Sequence, residues 1–175
     1  MLKALLLSIA TIVNSQDMDI NIINSFLFHP RISFQDMSEK DVQITVGDSV
    51  HVGVRFHLIS KSAPTILFFH GNGEIAPEYD DIAQVYNKQK INFMIADFRG
   101  YGFSNGVPNV VNTQSDAHII LDFVLNYLKE GHYTGSLVLM GRSLGSVSVL
   151  ELAKRYPQDF FGLIIESGFA DEEPL

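Results

Sequence analysis

The chain has 175 residues, and its 12 basic and 20 acidic side chains give a formal net charge of −8. This length suits one domain, and a hydrophobic content of 46% is sufficient for a buried core. The acidic balance, without any basic run, argues against nucleic acid as a partner. The absence of cysteine excludes a disulfide framework and a thiolate metal site. No apolar stretch approaches the length of a membrane-spanning helix.

The N-terminus has two interpretations. Lys3 precedes ten uncharged, largely apolar residues, 4–13, and residues 13–15 resemble a small-residue cleavage site. Residues 1–16 are therefore either a short signal peptide or an N-terminal extension, with Met18 as an alternative start. The first interpretation predicts an exported protein and the second a cytoplasmic one, so localisation stays open. The remaining residues, 17–175, are predicted to form the domain.

The first regular pattern is a β-hairpin. Apolar residues alternate with polar ones over residues 42–46 and again over residues 50–58. Gly47-Asp48 between them suits a two-residue turn. His51, Arg55 and His57 share the polar face of the second strand. We expect that face to be solvated, since no local carboxylate accompanies the histidines to form a metal site.

From residue 65 onward, strands alternate with helices. Residues 65–69, 93–96, 137–141 and 162–165 are short unbroken apolar runs, which are typical of strands covered on both faces. The intervening segments have helical periodicity. This alternation predicts an α/β fold with a mostly parallel sheet and helices on both faces.

Each helix has a predicted start or buried face. The first is predicted to carry Pro77 in its first turn and to bury Ile82, Val85 and Tyr86. The second is predicted to begin near Thr113, where Asp116 would complete an acidic capping box. Its predicted buried stripe consists of Ala117, Ile120, Leu121, Val124, Tyr127 and Leu128. The third runs to about Arg155, ahead of Pro157.

Three motifs follow the ends of predicted parallel strands, so they are expected at one edge of the sheet. They are His70-Gly-Asn-Gly73, Asp97-Phe-Arg-Gly-Tyr-Gly102 and Gly141-Arg-Ser-Leu-Gly145. The last is a G-x-S-x-G pattern between a strand and a helix, which predicts a strained turn that exposes the Ser143 hydroxyl. Gly141 and Gly145 are expected where strand and helix pass too close for side chains. The helix start would favour developing negative charge.

In order and spacing, these motifs resemble the α/β-hydrolase superfamily, in particular its esterase and prolyl-oligopeptidase-like serine hydrolases. The resemblance covers residues 40–171. It implies that Ser143 is the nucleophile toward a small acyl substrate, whose ester, thioester or amide nature stays open. It implies an oxyanion hole formed by the backbone N–H groups of Asn72 and Leu144. Further residues are implied to shape the site: His70, Gly71, Gly73, Asp97, Arg99, Gly141 and Gly145.

The sequence departs from the family in its histidines. The family's triad runs serine, acid, histidine along the chain. All six histidines here precede Ser143: His29, His51, His57, His70, His118 and His132. Asp171 follows the last predicted strand and is a candidate for the acid, although in most members of the family the acid comes one strand later. We therefore expect a C-terminally incomplete hydrolase domain that stops after the strand near Ser167. Its last strand would form an exposed apolar edge, to be completed by a partner chain, and its activity alone would be low.

Other functions receive less support from the residues. A truncated, non-catalytic interaction or scaffold protein is the main alternative. Residues 100–106 resemble a dinucleotide loop, but the glycine spacing is one residue too long and no helix begins there. No cluster with metal-ligand spacing is visible. We therefore expect neither a cofactor nor a metal.

Overall fold

A computed structural model describes residue 24 and residues 27–168. The predictions on residues 1–16 and on Asp171 lie outside these residues. Within the described part of the chain, no helix has the length and apolar character needed to cross a membrane.

Six strands form one mixed sheet in the spatial order β1-β2-β4-β3-β5-β6. β2 pairs antiparallel with β1 and with β4, and the other neighbours are parallel. The predicted mostly parallel α/β sheet is therefore confirmed. The strands are β1 Asp41–Gly47, β2 Val50–His57, β3 Thr65–Phe69, β4 Asn92–Ala96, β5 Leu137–Arg142 and β6 Gly162–Glu166.

The predicted hairpin is confirmed, but its turn lies one residue later. Gly47 pairs with Val50, so the loop consists of Asp48 and Ser49, and Ser49 has a φ of 59°. The register shifts between Thr45 and Gly47. This irregularity moves the end of β1 relative to its partner and places the loop after Gly47.

Helices cover both faces of the sheet. A 3₁₀ helix, Ala76–Tyr79, leads into α1, Asp80–Lys88, on one face. There Tyr79 and Ala83 pack with Phe68 and Phe93. The helices α2, Val110–Glu130, and α3, Gly145–Arg155, pack with the alternate strand residues on the other face. The two apolar clusters sandwich the sheet, as the sequence predicted.

The predicted buried face of α1 is wrong. Ile82 and Val85 are 45% and 60% exposed, whereas Ala83 is fully buried. Because the preceding 3₁₀ turn brings Tyr79 against the sheet, Ala83, one turn later, follows it inward. Tyr86 packs partly against the same cluster.

The second helix, α2, begins three residues earlier than predicted. Asn109 is its N-cap: its side chain accepts from the N–H of Asn112 at 2.8 Å, and the Asn112 side chain accepts from the N–H of Asn109 at 2.8 Å. Thr113 instead lies in the first turn and donates its hydroxyl to the carbonyl of Asn109. The predicted Thr113 cap is therefore replaced by an asparagine capping box. In the predicted stripe only Tyr127, 37% exposed, is not buried.

The predicted solvated face of β2 is wrong for Arg55 and His57, which are each only 6% exposed. Arg55 pairs with Asp41 of β1 at 3.2 Å and with Asp80 of α1 at 2.8 Å. His57 Nε2 lies 3.1 Å from Asp80 Oδ1. Burial lowers the pKa of His57, and the neighbouring Asp80 opposes that change. Arg55 and His57 of β2 therefore form an ion cluster with Asp41 and Asp80 beneath α1.

Among the described residues, strand β6 forms one edge of the sheet. Leu163, Ile164 and Ile165 are 38–42% exposed, and Phe161 just before them is 83% exposed. The predicted exposed apolar edge is confirmed, although the apolar run by itself had indicated a fully covered strand.

Candidate active site

The turn between β5 and α3 holds Ser143 in a left-handed conformation, with a φ of 48°. This region is unfavourable for a residue with a side chain. Two sets of hydrogen bonds fix the turn. The N–H of Ser143 donates to the carbonyl of Glu166 at 2.9 Å, and the carbonyl of Ser143 accepts from the N–H and hydroxyl of Ser146. The sequence therefore produces the sharp strand-to-helix turn that a nucleophile elbow requires.

Glycines at both ends of this turn permit a close approach of strand and helix. A Cβ on Gly141 would lie 2.6 Å from the carbonyl oxygen of Gly145. A Cβ on Gly145 would lie 1.9 Å from the carbonyl oxygen of Phe69 on β3. Both contacts are with backbone atoms, which cannot rotate away.

The loop after β3 lies beside this turn. β3 and β5 are parallel neighbours, and Phe69 pairs with Gly141. The residues that follow this pair, 70–73 and 142–145, therefore emerge side by side. Within the described residues, the N–H groups of Asn72 and Leu144 have no hydrogen-bond acceptor. Leu144 directly follows Ser143 at the start of α3, and Asn72 lies on the loop that emerges from the neighbouring strand.

His70 is fully buried, and both of its ring nitrogens have partners. Nδ1–H donates to the carbonyl of Gly71 at 2.7 Å, and Nε2 lies 3.1 Å from Asp97 Oδ1. The same Asp97 oxygen accepts from the N–H of Ala76 at 2.8 Å. His70 and Asp97 therefore join the ends of β3 and β4, and His70 has no free ring nitrogen to accept a proton from Ser143.

Arg99 ties the loop after β4 to α2. Its Nε and Nη2 donate to the two carboxylate oxygens of Asp116, both at 2.7 Å. This bidentate bond raises the pKa of Arg99. In the same loop Gly102 has a φ of 55°, and a Cβ there would overlap the carboxylate of Asp97.

An N-terminal strap, residues 27–33, crosses these loops, and sequence reasoning gave it no role. The Asn72 side chain donates to the carbonyl of Leu27 at 2.7 Å and accepts from the N–H of His29 at 2.9 Å. Arg31 donates to the carbonyl of Gly73 at 2.7 Å. The strap therefore holds the Asn72 loop from outside. No periodicity marks such a segment, so the sequence offered no signal for it.

Sequence reasoning also missed a polar cluster at the elbow, the turn of residues 141–145 that carries Ser143. Arg142, the residue before Ser143, pairs with Glu74 at 3.0 Å, and its Nε lies 3.7 Å from Glu166. A hydrogen bond with Tyr79 and the charge of Glu74 raise the pKa of Arg142. The position of Arg142 inside G-x-S-x-G was the available signal, because it places a charged side chain beside the loops at the strand ends.

Other polar groups lie away from Ser143. Among the described residues, no group of three or more His, Asp or Glu side chains could hold a metal ion. A shallow cavity of about 320 Å³ is lined by Lys61, Tyr127, Glu130, Gly131 and Tyr133. These residues precede β3 and β5, so the cavity lies at the opposite edge of the sheet from Ser143.

The fold and the strand-end motifs together define an α/β hydrolase. The family model for serine aminopeptidases, S33, matches residues 60–174, and the chain belongs to this family.

Curated relatives agree with this membership. The chain is 36% identical over 107 residues to the alpha/beta hydrolase domain-containing protein WAV2 of Arabidopsis thaliana. The alignment covers 61% of this chain and 34% of the relative. It is 26% identical over 138 residues to protein bem46 of Schizosaccharomyces pombe, covering 77% of this chain and 46% of the relative. The chain thus spans about a third to a half of the length of these relatives.

Solved structures share the fold. A soluble variant of monoglyceride lipase from Saccharomyces cerevisiae aligns with a TM-score of 0.65 and 18% identity, covering 79% of this chain and 47% of that one. A predicted CIB-like hydrolase from Thermoplasma acidophilum aligns with a TM-score of 0.56 and 24% identity, covering 76% and 64%. At these identities the likeness establishes the α/β-hydrolase fold.

Proposed function

We propose that this chain carries the nucleophile and the oxyanion hole of a serine hydrolase. Ser143 Oγ attacks the carbonyl carbon of an acyl substrate, and the resulting oxyanion accepts hydrogen bonds from the N–H groups of Asn72 and Leu144. The bond to the leaving group then breaks, and the leaving group takes up the serine proton. Water hydrolyses the acyl-enzyme, which releases the acid and restores the hydroxyl.

The observation that carries this proposal is the left-handed backbone of Ser143 between two close-packed glycines. Such strain persists only where the surrounding structure enforces it, and it is concentrated at functional sites. The N–H groups of Asn72 and Leu144, which have no acceptor among the described residues, would supply the donors that an acyl-transfer transition state needs. Each such donor is worth about 3 kcal/mol of transition-state stabilisation.

The general base is proposed to lie outside this chain. No histidine follows Ser143 in the sequence, and His70 already uses both ring nitrogens. Asp171, the candidate acid, lies beyond the described residues. Without a base the serine hydroxyl is poorly activated, so the 175-residue chain alone should hydrolyse p-nitrophenyl esters at most slightly.

A fluorophosphonate probe tests the nucleophile. We expect it to label Ser143 in the protein expressed from its complete coding sequence, and Ser143→Ala to abolish the labelling. Ser115→Ala is the matched serine control, because that exposed residue lies on α2 and donates its hydroxyl to the carbonyl of Asn112. Labelling that survives Ser143→Ala would refute the assignment. Ordinary esterase turnover by the 175-residue chain would refute the proposal that the base is absent.

The second candidate is a non-catalytic hydrolase-like interaction protein, favoured by the apolar side chains that are exposed on β6. The exposed apolar edge of β6 would then be its contact surface. The coding sequence beyond Leu175 discriminates the two. An acid followed by a histidine, each after a predicted strand, would favour the enzyme, and a stop codon would favour the interaction protein.

A further inference from the structure

The carboxylate of Glu74 joins the Asn72 loop to the elbow. Its Oε2 accepts from the N–H of Gly71 at 2.7 Å and from the hydroxyl of Tyr79. Its Oε1 lies 3.0 Å from Nη1 of Arg142. One side chain thus receives donors from the loop after β3, from the 3₁₀ helix and from the end of β5.

Arg142 extends this connection to β6. Its Nε faces Glu166 at 3.7 Å, and the carbonyl of Glu166 accepts from the N–H of Ser143. Arg142 is adjacent to Ser143 in the chain, so any shift of its backbone moves the serine. The guanidinium therefore spans the three strand ends around Ser143.

The Asn72 loop needs such an anchor. Gly71 and Gly73 flank Asn72, and a Cβ on Gly73 would meet nothing within 4 Å. Glycine-rich backbone in open space has few restraints of its own. The strap holds the side chain of Asn72 on one side, while Glu74 holds the N–H of Gly71 on the other.

We propose that Glu74 and Arg142 act as a positioning pair, which sets the distance between the N–H of Asn72 and the hydroxyl of Ser143. This inference rests on the proposed role of Ser143 as nucleophile. Neither side chain reacts; the pair acts through the loop and the elbow that it joins. A displacement of about 1 Å at a reacting group costs up to about 100-fold in rate, so a pair that fixes this distance is important for rate.

The pair contributes little to stability. The Arg142 and Glu74 side chains are 43% and 25% exposed. Ion pairs that are partly exposed contribute little to the free energy of unfolding, because water screens the charges and ordering two long side chains costs entropy. A positioning role therefore predicts slower chemistry in variants whose thermal midpoint barely changes.

A double-mutant cycle on fluorophosphonate labelling of Ser143 tests the pair in the protein from the complete coding sequence. We expect Glu74→Gln and Arg142→Gln each to lower the second-order labelling rate about tenfold. The double variant should also be about tenfold slower, because the second change removes nothing further. Arg142→Lys should restore part of the rate. Arg155→Gln is the matched control: it removes an ion pair of 3.0 Å on α3 and should leave the rate unchanged.

The sign of the single effects separates positioning from simple electrostatics. A purely electrostatic influence on Ser143 would make the two neutralisations act in opposite directions, because they remove opposite charges. Positioning predicts that both slow the reaction. Opposite signs, a multiplicative double variant, or unchanged rates would each overturn the proposal.

Amide hydrogen exchange of residues 71–73 provides a readout that does not depend on the chemistry of Ser143. We expect faster exchange in Glu74→Gln and in Arg142→Gln, and wild-type exchange in Arg155→Gln. Unchanged exchange in the first two variants would overturn the positioning role. If the wild-type protein is not labelled at Ser143, the proposed function fails and the positioning role fails with it. If the wild-type protein is labelled at Ser143 and the variants are labelled at the same rate, only the positioning role fails.

Discussion

Gly145→Ala is expected to destabilise the fold, although alanine is the better helix former. Gly145 is the first residue of α3, and a Cβ there would lie 1.9 Å from the carbonyl oxygen of Phe69 and 2.9 Å from that of His70. Ordinary contact begins near 3.4 Å, so α3 would have to move away from β3 by about 1.5 Å. Both atoms belong to the backbone, so no side-chain rotation relieves the overlap.

Two opposing contributions determine the size of this effect. Replacing glycine by alanine in a helix gains at most about 1 kcal/mol. Overpacking a close contact costs about 1–3 kcal/mol, and more where neither side can yield. The clash therefore dominates, and we expect the free energy of unfolding to fall by about 2–3 kcal/mol. Urea denaturation followed by circular dichroism measures it.

Gly162→Ala is the matched control for this measurement. Gly162 opens the exposed strand β6, and a Cβ there would meet nothing within 4 Å. We expect a change of less than about 1 kcal/mol for this variant. If Gly145→Ala were as stable as the wild type, the close approach of α3 to β3 would be wrong, and with it the reason for the glycine in the elbow.

The remaining predictions concern single positions. Ser143→Gly should be more stable than Ser143→Ala by about 1 kcal/mol in thermal unfolding, because only glycine relaxes the left-handed backbone; equal stabilities would contradict the strain. Asn109→Ala should cost about 1 kcal/mol through loss of the cap, whereas the exposed Val111→Ala should cost almost nothing. Burial lowers the pKa of His57 from 6.5, so the unfolded chain binds the proton more readily. The contribution of neutral His57 to the free energy of unfolding should therefore be complete above about pH 6.5 and decline as the pH falls below it. His57→Gln should reduce that decline, and an unchanged dependence of stability on pH in the variant would contradict the lowered pKa of His57.

Strands β3 to β6 were predictable because each is an unbroken apolar run, and β1 and β2 because apolar and polar residues alternate along them. Residues 65–69 and 93–96 match β3 and β4 closely, since a strand covered on both faces has no polar side to encode. The start of α2 was also encoded, in the spacing of Asn109 and Asn112. Thr113 lies in a similar local pattern, and propensity alone does not distinguish two cap candidates that are four residues apart.

The polar contacts were not predictable from local patterns. Alternation places Arg55 and His57 on one face of β2, but it does not reveal that Asp80 of α1 covers that face. The same holds for Glu74 and Arg142, which come together only because β3 and β5 are neighbours. Long-range ion pairs depend on strand order, and strand order is a property of the whole sheet.

The strap also has a consequence for the order of folding. The N–H of His29 contacts Asn72 across 43 residues and Tyr101 across 72 residues, in loops that follow two different strands. Such contacts can form only after both loops exist, and each carries the entropy cost of closing a long loop. We therefore expect the strap to dock late, although it leaves the ribosome before the sheet it crosses. Pulse-labelled hydrogen exchange should show the N–H of His29 protected after those of β3 and β4, and simultaneous protection would refute this order. The loop that carries Asn72 beside Ser143 would then acquire its final geometry late, when a segment that was synthesised before it docks.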